Sequence, residues 1–400
     1  MNKIIFLIVT LISSKGFSAK STPTIVVSLF GKGNSMAADI GVIKALHQYL
    51  VLREGKQVVE NEINFYFAGS SSGAILATYF ACYGINEISI EYIIEQATKY
   101  PKEFSNEDVS QKSFKMLLGI NPEESIKILK PIRDLGTGSN TCRPKLPVLT
   151  VAANLDKNGT DHGLDGRVPG KFSGFNGKKI DMDHFTLLNS NGIPVQKICT
   201  YLANETMANL LRTIDPKERK CDLRVISDDD LSDEFYILPS VSEPTYFSSV
   251  PEKKFNKIES DFRLPTQRSY LGGWVDIGPV QDIVRALASQ GIETWTFGTG
   301  RTYFARSQEA IIRNMFYDFS LNTNLLTALH WVSLSVPFTK EDWARLGEKQ
   351  TTPSQQIDIG YASAQKCFNG NANCVPPLTH KPFYHYDAQK RPITVKKGFY

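Results

Sequence analysis

At 400 residues, 42% of them hydrophobic, 22% charged and 11% aromatic, the chain can bury one large core or two modest ones, which excludes a disordered, collagen-like or small disulfide-knotted protein. Lys and Arg number 45 against 41 Asp and Glu, and the charges are interspersed instead of gathered in a basic arm, which argues against a nucleic-acid partner.

The chain opens with Lys3, the apolar run Ile4 to Ile12 and the small, polar stretch Ser13 to Ala19, the pattern of a secretory signal peptide over residues 1–19. The apolar run is less than half of the about 20 residues that a spanning helix needs. Cleavage removes Lys3 and Lys15 and lowers the formal net charge of +4 by two, leaving too little to hold the chain on lipid by electrostatics alone. Export to a periplasm or to the exterior permits the six cysteines to pair. Cys199 with Cys221 and Cys367 with Cys374 are the preferred bridges, and Cys82 reads as a core residue.

Thr24 to Phe30 reads as a buried strand that ends in the loop Gly31-Lys32-Gly33-Asn34-Ser35. Ile40, Val42, Ile43, Leu46 and Leu50 then recur at helical spacing. A second strand, Ile63 to Ala68, runs into Gly69-Ser70-Ser71-Ser72-Gly73, and the apolar segment Ala74 to Cys82 behind it predicts a buried helix ended by Gly84. Two successive strand, glycine-rich turn, helix units imply a parallel α/β sheet.

Pro147 to Ala153 predicts a further strand, and Asn154 to Lys179, rich in Gly, Asp, Asn and Lys, an exposed excursion. Helical periodicity covers Ile193 to Ile214, and the charged stretch Lys217 to Glu234 reads as a solvated loop. Strands are predicted at Phe235 to Leu238 and Ile292 to Phe297, with a helix over Pro279 to Ala288 between them. Arg306 to Ser335 predicts a helix, and beyond Thr351 the chain turns to Gly, Asn and Pro. The expected organisation is an α/β domain over 20–305 with a helical and loop-rich extension, 306–400, packed on it.

Gly-x-Ser-x-Gly arises by chance in a chain of this length about one time in ten, so its flanks decide its meaning. A nucleophile elbow needs a strand before the serine and a helix after it, with small flanking residues where backbones approach closely. Ser71 has both, with Gly69 and Gly73 as the elbow glycines and Ser70 and Ser72 as packing or hydrogen-bonding neighbours. The Gly31 loop lacks the Gly-Lys-Ser/Thr ending of a P-loop and the full dinucleotide fingerprint. Backbone N–H groups of Gly31, Lys32 and Gly33 instead suit an oxyanion hole, beside the positive end of the helix behind Ser71. No Cys-x-x-Cys or Cys/His spacing points to zinc, and no metal or organic cofactor is implied.

In this order the motifs resemble the patatin-like phospholipases. Ile40-Gly41-Val42-Ile43-Lys44-Ala45-Leu46 after the glycine loop is similar to their Ile-Gly-Val-Leu-Lys-Ala-Leu helix, and Gly69 to Ala74 to their Gly-Thr-Ser-Thr-Gly-Gly elbow. Leu238-Pro239-Ser240-Val241-Ser242-Glu243-Pro244-Thr245-Tyr246-Phe247 is similar to their Ala-Ser-x-x-x-Pro-x-x-Phe segment. The stretch Tyr270 to Val280 looks like the one that carries their catalytic aspartate. The resemblance covers about Thr24 to Gly300. It implies a three-layer fold with a central, mostly parallel sheet flanked by helices, and a Ser/Asp dyad that cleaves phospholipid or other acyl-ester lipids; aromatic and Leu-rich segments such as Leu325 to Val332 suit transient contact with a membrane surface or, more simply, core packing.

Two positions depart from the family. Its arginine after the glycine loop falls on Ser35, with Lys32 a substitute for the charge. Aligning Gly272-Gly273 and Pro279 sets Leu271 where the catalytic aspartate belongs, and leucine cannot accept a proton. Asp276, the one acid in Tyr270 to Val280, is the candidate base, with a dipole-stabilised residue ahead of the Pro279 helix as its structural alternative. Two other functions stay open: a catalytically degenerate relative that binds lipid or a protein partner, and a secreted Ser/His/Asp esterase, which needs His330 or another histidine beside Ser71.

Overall fold

A computed structural model describes residues 24–29, 31, 35–99, 142–155, 179–181, 186–188, 194–197, 199–226, 234–241, 250–251, 269–270, 280–292, 294–300, 331–337, 345–346 and 351–368. Strand β1 (Thr24–Leu29) is buried at every residue, as expected of a strand covered on both faces. It pairs in parallel with β2 (Asn64–Ser70) on one side and with β11 (Thr294–Gly300) on the other. The sheet continues beyond β11 to β12 (Trp331–Pro337) and beyond β2 to β3 (Val148–Leu155), both again parallel.

Past β3 the direction changes. β7 (Cys199–Asn204) runs antiparallel to β3, and β8 (Asp222–Ile226) runs parallel to β7. The two-residue strands β9 (Val250–Pro251) and β10 (Ser269–Tyr270) pair antiparallel at the far end of β3, completing a nine-stranded sheet. A separate three-stranded sheet joins β4 (Lys179–Asp181), β5 (Thr186–Leu188) and β6 (Pro194–Lys197). The main sheet is thus a mixed, mostly parallel α/β sheet.

Alternation along the strands builds two cores. Ile25, Val27, Leu29, Phe65 and Phe67 face one way, onto helices α1 (Ala37–Glu54), α3 (Ser72–Tyr83) and α4 (Glu87–Lys99). Val26, Ala68, Leu149 and Val151 face the other, onto α5 (Glu205–Leu211) and α7 (Gln281–Ser289). Each fully buried side chain of this size contributes about 1.5–3 kcal/mol. The short α2 (Lys56–Asn61) joins α1 to β2 after Gly55, whose φ of 90° ends α1. No helix among the described residues is long and apolar enough to cross a membrane.

Several expectations are corrected. Ile193 to Ile214 is not one helix: β6 and β7 occupy its first half, and only Glu205–Leu211 is helical, capped by the Asn204 side chain accepting from Met207 N–H. Apolar residues at Cys199, Tyr201 and Ala203 alternate equally well as a strand, and pairing with β3 decides the matter. Phe235 to Leu238 lies within a helix, α6 (Glu234–Val241), despite Pro239. Trp331 to Ser335, expected to close a helix from Arg306, lie instead in β12, so chain assigned to the extension supplies a strand of the main sheet; residues 306–330 lie outside the described residues.

The charged stretch from Lys217 is not simply a solvated loop, because β8 within it is buried throughout and Arg219 and Arg224 are 1% exposed. Nearby Asp282, fully buried, accepts hydrogen bonds from the Tyr201 hydroxyl (3.0 Å) and the Lys220 backbone N–H (2.9 Å), with Arg285 at 3.5 Å. A buried carboxylate with such partners is far less costly than a bare one. Cys199 and Cys221 form the expected disulfide, whereas Cys82 is joined to Cys142. That pairing follows from tertiary packing: Lys145 and Leu146 N–H both donate to the Ala81 carbonyl, tying the approach to β3 onto the end of α3. Cys374, and with it the expected second bridge, lies outside the described residues.

Beyond Thr351 the chain forms a long helix, α8 (Pro353–Phe368), instead of the expected irregular segment. It packs along α1 at two reciprocal glycines: a Cβ on Gly41 would collide with the Ile357 carbonyl, and one on Gly360 with the Ala38 carbonyl. Phe368 stacks on Tyr49 of α1 and lies near Phe297 of β11. Gly360→Ala must push two backbones apart, and chemical denaturation should show a loss of about 1–3 kcal/mol or more.

His47 on α1 is 7% exposed, and burial lowers its pKa below the ordinary value, partly opposed by Glu60, whose carboxylate is 4.0 Å away. The unfolded chain therefore takes up a proton that the folded chain resists. Stability from this site is complete above the ordinary value of about 6.5 and declines as pH falls from there through the lowered one. Thermal melts of His47→Gln between about pH 7.5 and pH 5 should fall less steeply on acidification than those of the wild type.

Candidate active site

The register of β1 and β2 determines where the candidate residues meet. Leu29 lies opposite Gly69, so the two parallel strands end together, and the chain leaves both at the same edge of the sheet. That edge is the carboxyl end of the parallel strands. The chain passes from β1 to β2 on one side while β11 flanks β1 on the other, the kind of position where open α/β sheets bind ligands.

Ser71 occupies the turn between β2 and α3 with φ 51° and ψ −128°, the one non-glycine with positive φ among the described residues. Such a conformation costs about 1–3 kcal/mol and persists only where its surroundings enforce it. Helix α3 starts immediately after it, with Ala74 N–H donating to the Ser71 carbonyl at 2.9 Å. A Cβ on Gly69 would collide with the Gly73 carbonyl, so the end of the strand and the start of the helix lie too close for any side chain at 69. Both elbow glycines are therefore brought together with Ser71.

The three serines have different environments. Ser70 and Ser72 are buried, while Ser71 is only half-buried at the tip of the turn. Gly31 lies directly against it: a Cβ there would be 2.5 Å from Ser71 Cβ and 3.2 Å from its Oγ. The Gly31 N–H makes a long hydrogen bond, 3.4 Å, to Ser70 Oγ. The N-terminus of α3, the positive end of its dipole, lies at the same turn. A hydroxyl presented in this way at a helix N-terminus is suited to attack on a carbonyl carbon.

Lys32, Gly33, Leu271, Asp276 and His330 lie outside the described residues. Ser35 is buried just before α1. Asp282, the first described acid after Asp276, is engaged by Tyr201, Lys220 and Arg285 in the core on the opposite face from α3.

Ser240, in the segment Leu238 to Phe247, also meets the elbow. Its hydroxyl, fully buried on α6, accepts a hydrogen bond from the Ser71 backbone N–H at 2.9 Å across 169 positions of sequence. Ile237, Leu238 and Val241, at helical spacing, were the available signal that this segment is a helix facing the core. No protein-family model and no curated protein matches the chain.

Positive φ at Ser71 makes a direct test of backbone strain. Glycine tolerates this conformation and alanine does not, while the greater freedom of unfolded glycine offsets part of the difference. Ser71→Gly should be more stable than Ser71→Ala by about 1–2 kcal/mol in urea unfolding.

Proposed function

We propose that the chain is an exported, patatin-like lipid acyl hydrolase that cleaves phospholipid or other acyl esters through a serine acyl-enzyme. One observation carries the reading: Ser71 is held at positive φ between a parallel strand and a helix, half-buried, with Gly31 of the neighbouring strand's loop packed against it. The ordered resemblance of four motifs between Thr24 and Gly300 adds the substrate class. The disulfides Cys82–Cys142 and Cys199–Cys221 agree with passage into an oxidising compartment after removal of residues 1–19.

In this mechanism Asp276 accepts the Ser71 Oγ proton as the Oγ–carbon bond forms at the ester carbonyl. With the Gly31 N–H turned to Ser70 Oγ, the Lys32 and Gly33 amides of that loop and those of the α3 N-terminus hold the negative oxygen of the tetrahedral intermediate. Collapse breaks the acyl–oxygen bond, and the leaving alcohol takes the proton back from Asp276. Water then adds to the acyl-enzyme, giving its proton to the same carboxylate. Release of the fatty acid returns that proton to Ser71.

Leucine at position 271 favours a second reading, a relative that binds lipid or a protein partner without turnover. Hydrolysis of a short-chain p-nitrophenyl ester or of phospholipid separates the two. For the hydrolase, Ser71→Ala lowers kcat/KM by at least about 10³-fold while His330→Ala leaves it unchanged. Absence of turnover in the wild type, with activity gained in Leu271→Asp, selects the second reading, and loss of activity in His330→Ala selects a Ser/His/Asp esterase.

A further inference from the structure

Ser71 N–H has no partner within the regular structure on either side of it. The β2 ladder to β3 ends at Ser70, opposite Val151, and α3 begins at Ser72. An amide stranded at such a turn costs about 1–3 kcal/mol when buried without an acceptor. Its acceptor comes instead from α6, which packs against both β3 and α3 and whose Ile237, Leu238 and Val241 belong to the core beneath the elbow. Ser240, between Leu238 and Val241 on this anchored helix, is fully buried, and its hydroxyl oxygen is 2.9 Å from Ser71 N.

We infer that Ser240 is a positioning residue for Ser71: by accepting the Ser71 N–H, it fixes the plane of the peptide between Ser70 and Ser71 and so the direction in which Ser71 Oγ is presented. The peptide plane is the reference about which φ of Ser71 is measured. Without an acceptor on this side, the peptide is free to rotate and the positive φ relaxes toward ordinary values, carrying Oγ away from Gly31. The hydroxyl bonds the Ser71 amide, so its influence passes through the backbone. The same bond occupies the Ser71 amide, which leaves stabilisation of an oxyanion to the loop after β1 and to the amides that follow Ser71.

The inference rests on Ser71 being the nucleophile, and the experiment separates the two claims. The full chain and its Ser240→Ala and Ser240→Thr variants are compared in the rate of covalent labelling by a fluorophosphonate, in kcat and KM for a p-nitrophenyl ester, and in melting temperature. Ser240→Ala should label and turn over about 10- to 100-fold more slowly, the scale of a misplaced reacting atom, with KM within about two-fold of the wild type. Ser240→Thr, which keeps the hydroxyl, should recover most of that loss. Equal labelling of Ser240→Ala and the wild type overturns the positioning role and leaves the nucleophile intact. A wild type that Ser71→Ala shows to be unlabelled at Ser71 overturns the nucleophile and, with it, the role of Ser240 in reactivity. Should Ser240→Ala not fold, residue-resolved hydrogen exchange on the wild type decides: a Ser71 amide protected by about 100-fold or more supports the bond, and an unprotected one overturns it.

Discussion

A single residue in a conformation that L-amino acids avoid is the constraint around which this protein is arranged. Ser71 stays at φ 51° because three elements leave it no alternative. β2 delivers the chain at the sheet edge, α3 takes up its carbonyl within one turn, and α6 holds its amide through Ser240. Gly31 closes the fourth side, at a distance that any side chain would violate. Strain that is enforced from several directions at once is a feature of reactive sites, and it is the reason a serine here differs from a serine in an ordinary turn.

The rigidity of that arrangement depends on parts of the chain far away in sequence. Helix α1 begins six positions after Gly31, so whatever fixes α1 also anchors the far end of the glycine loop. Helix α8 does this from beyond residue 350, with glycines on both helices permitting backbone contact and Phe368 bridging to Tyr49 and Phe297. Helix α8 is thus part of the support of α1.

On the opposite face, the core under α5 and α7 includes the buried Asp282 with its hydroxyl, amide and guanidinium partners, and the Cys199–Cys221 bridge beside it. These groups hold the antiparallel margin of the sheet, where β7 and β8 depart from the direction of the other strands. Ion pairs at the exposed surface, such as Lys56 with Glu87, add little by comparison, since water screens them.

Local chemistry determined the parts of the molecule in which one short segment carries its own signal. The two strand–turn–helix units, the Gly84 that ends the second helix, the elbow around Ser71 and the Cys199–Cys221 pair could all be read from residue order, because periodicity and turn residues act over a few positions. Where a stretch suits either period, as Cys199 to Ala203 and Trp331 to Pro337 do, only pairing with a neighbouring strand chose between helix and strand. Partnerships that exist solely through folding had no local signal at all: Cys82 with Cys142, Gly41 with α8, the buried charges near β8, and the Ser240 hydroxyl on the Ser71 amide. A chain's sequence states the preferences of each segment, but a hydrogen bond across 169 residues comes into being only when the packing of β2, α3 and α6 brings its two ends together.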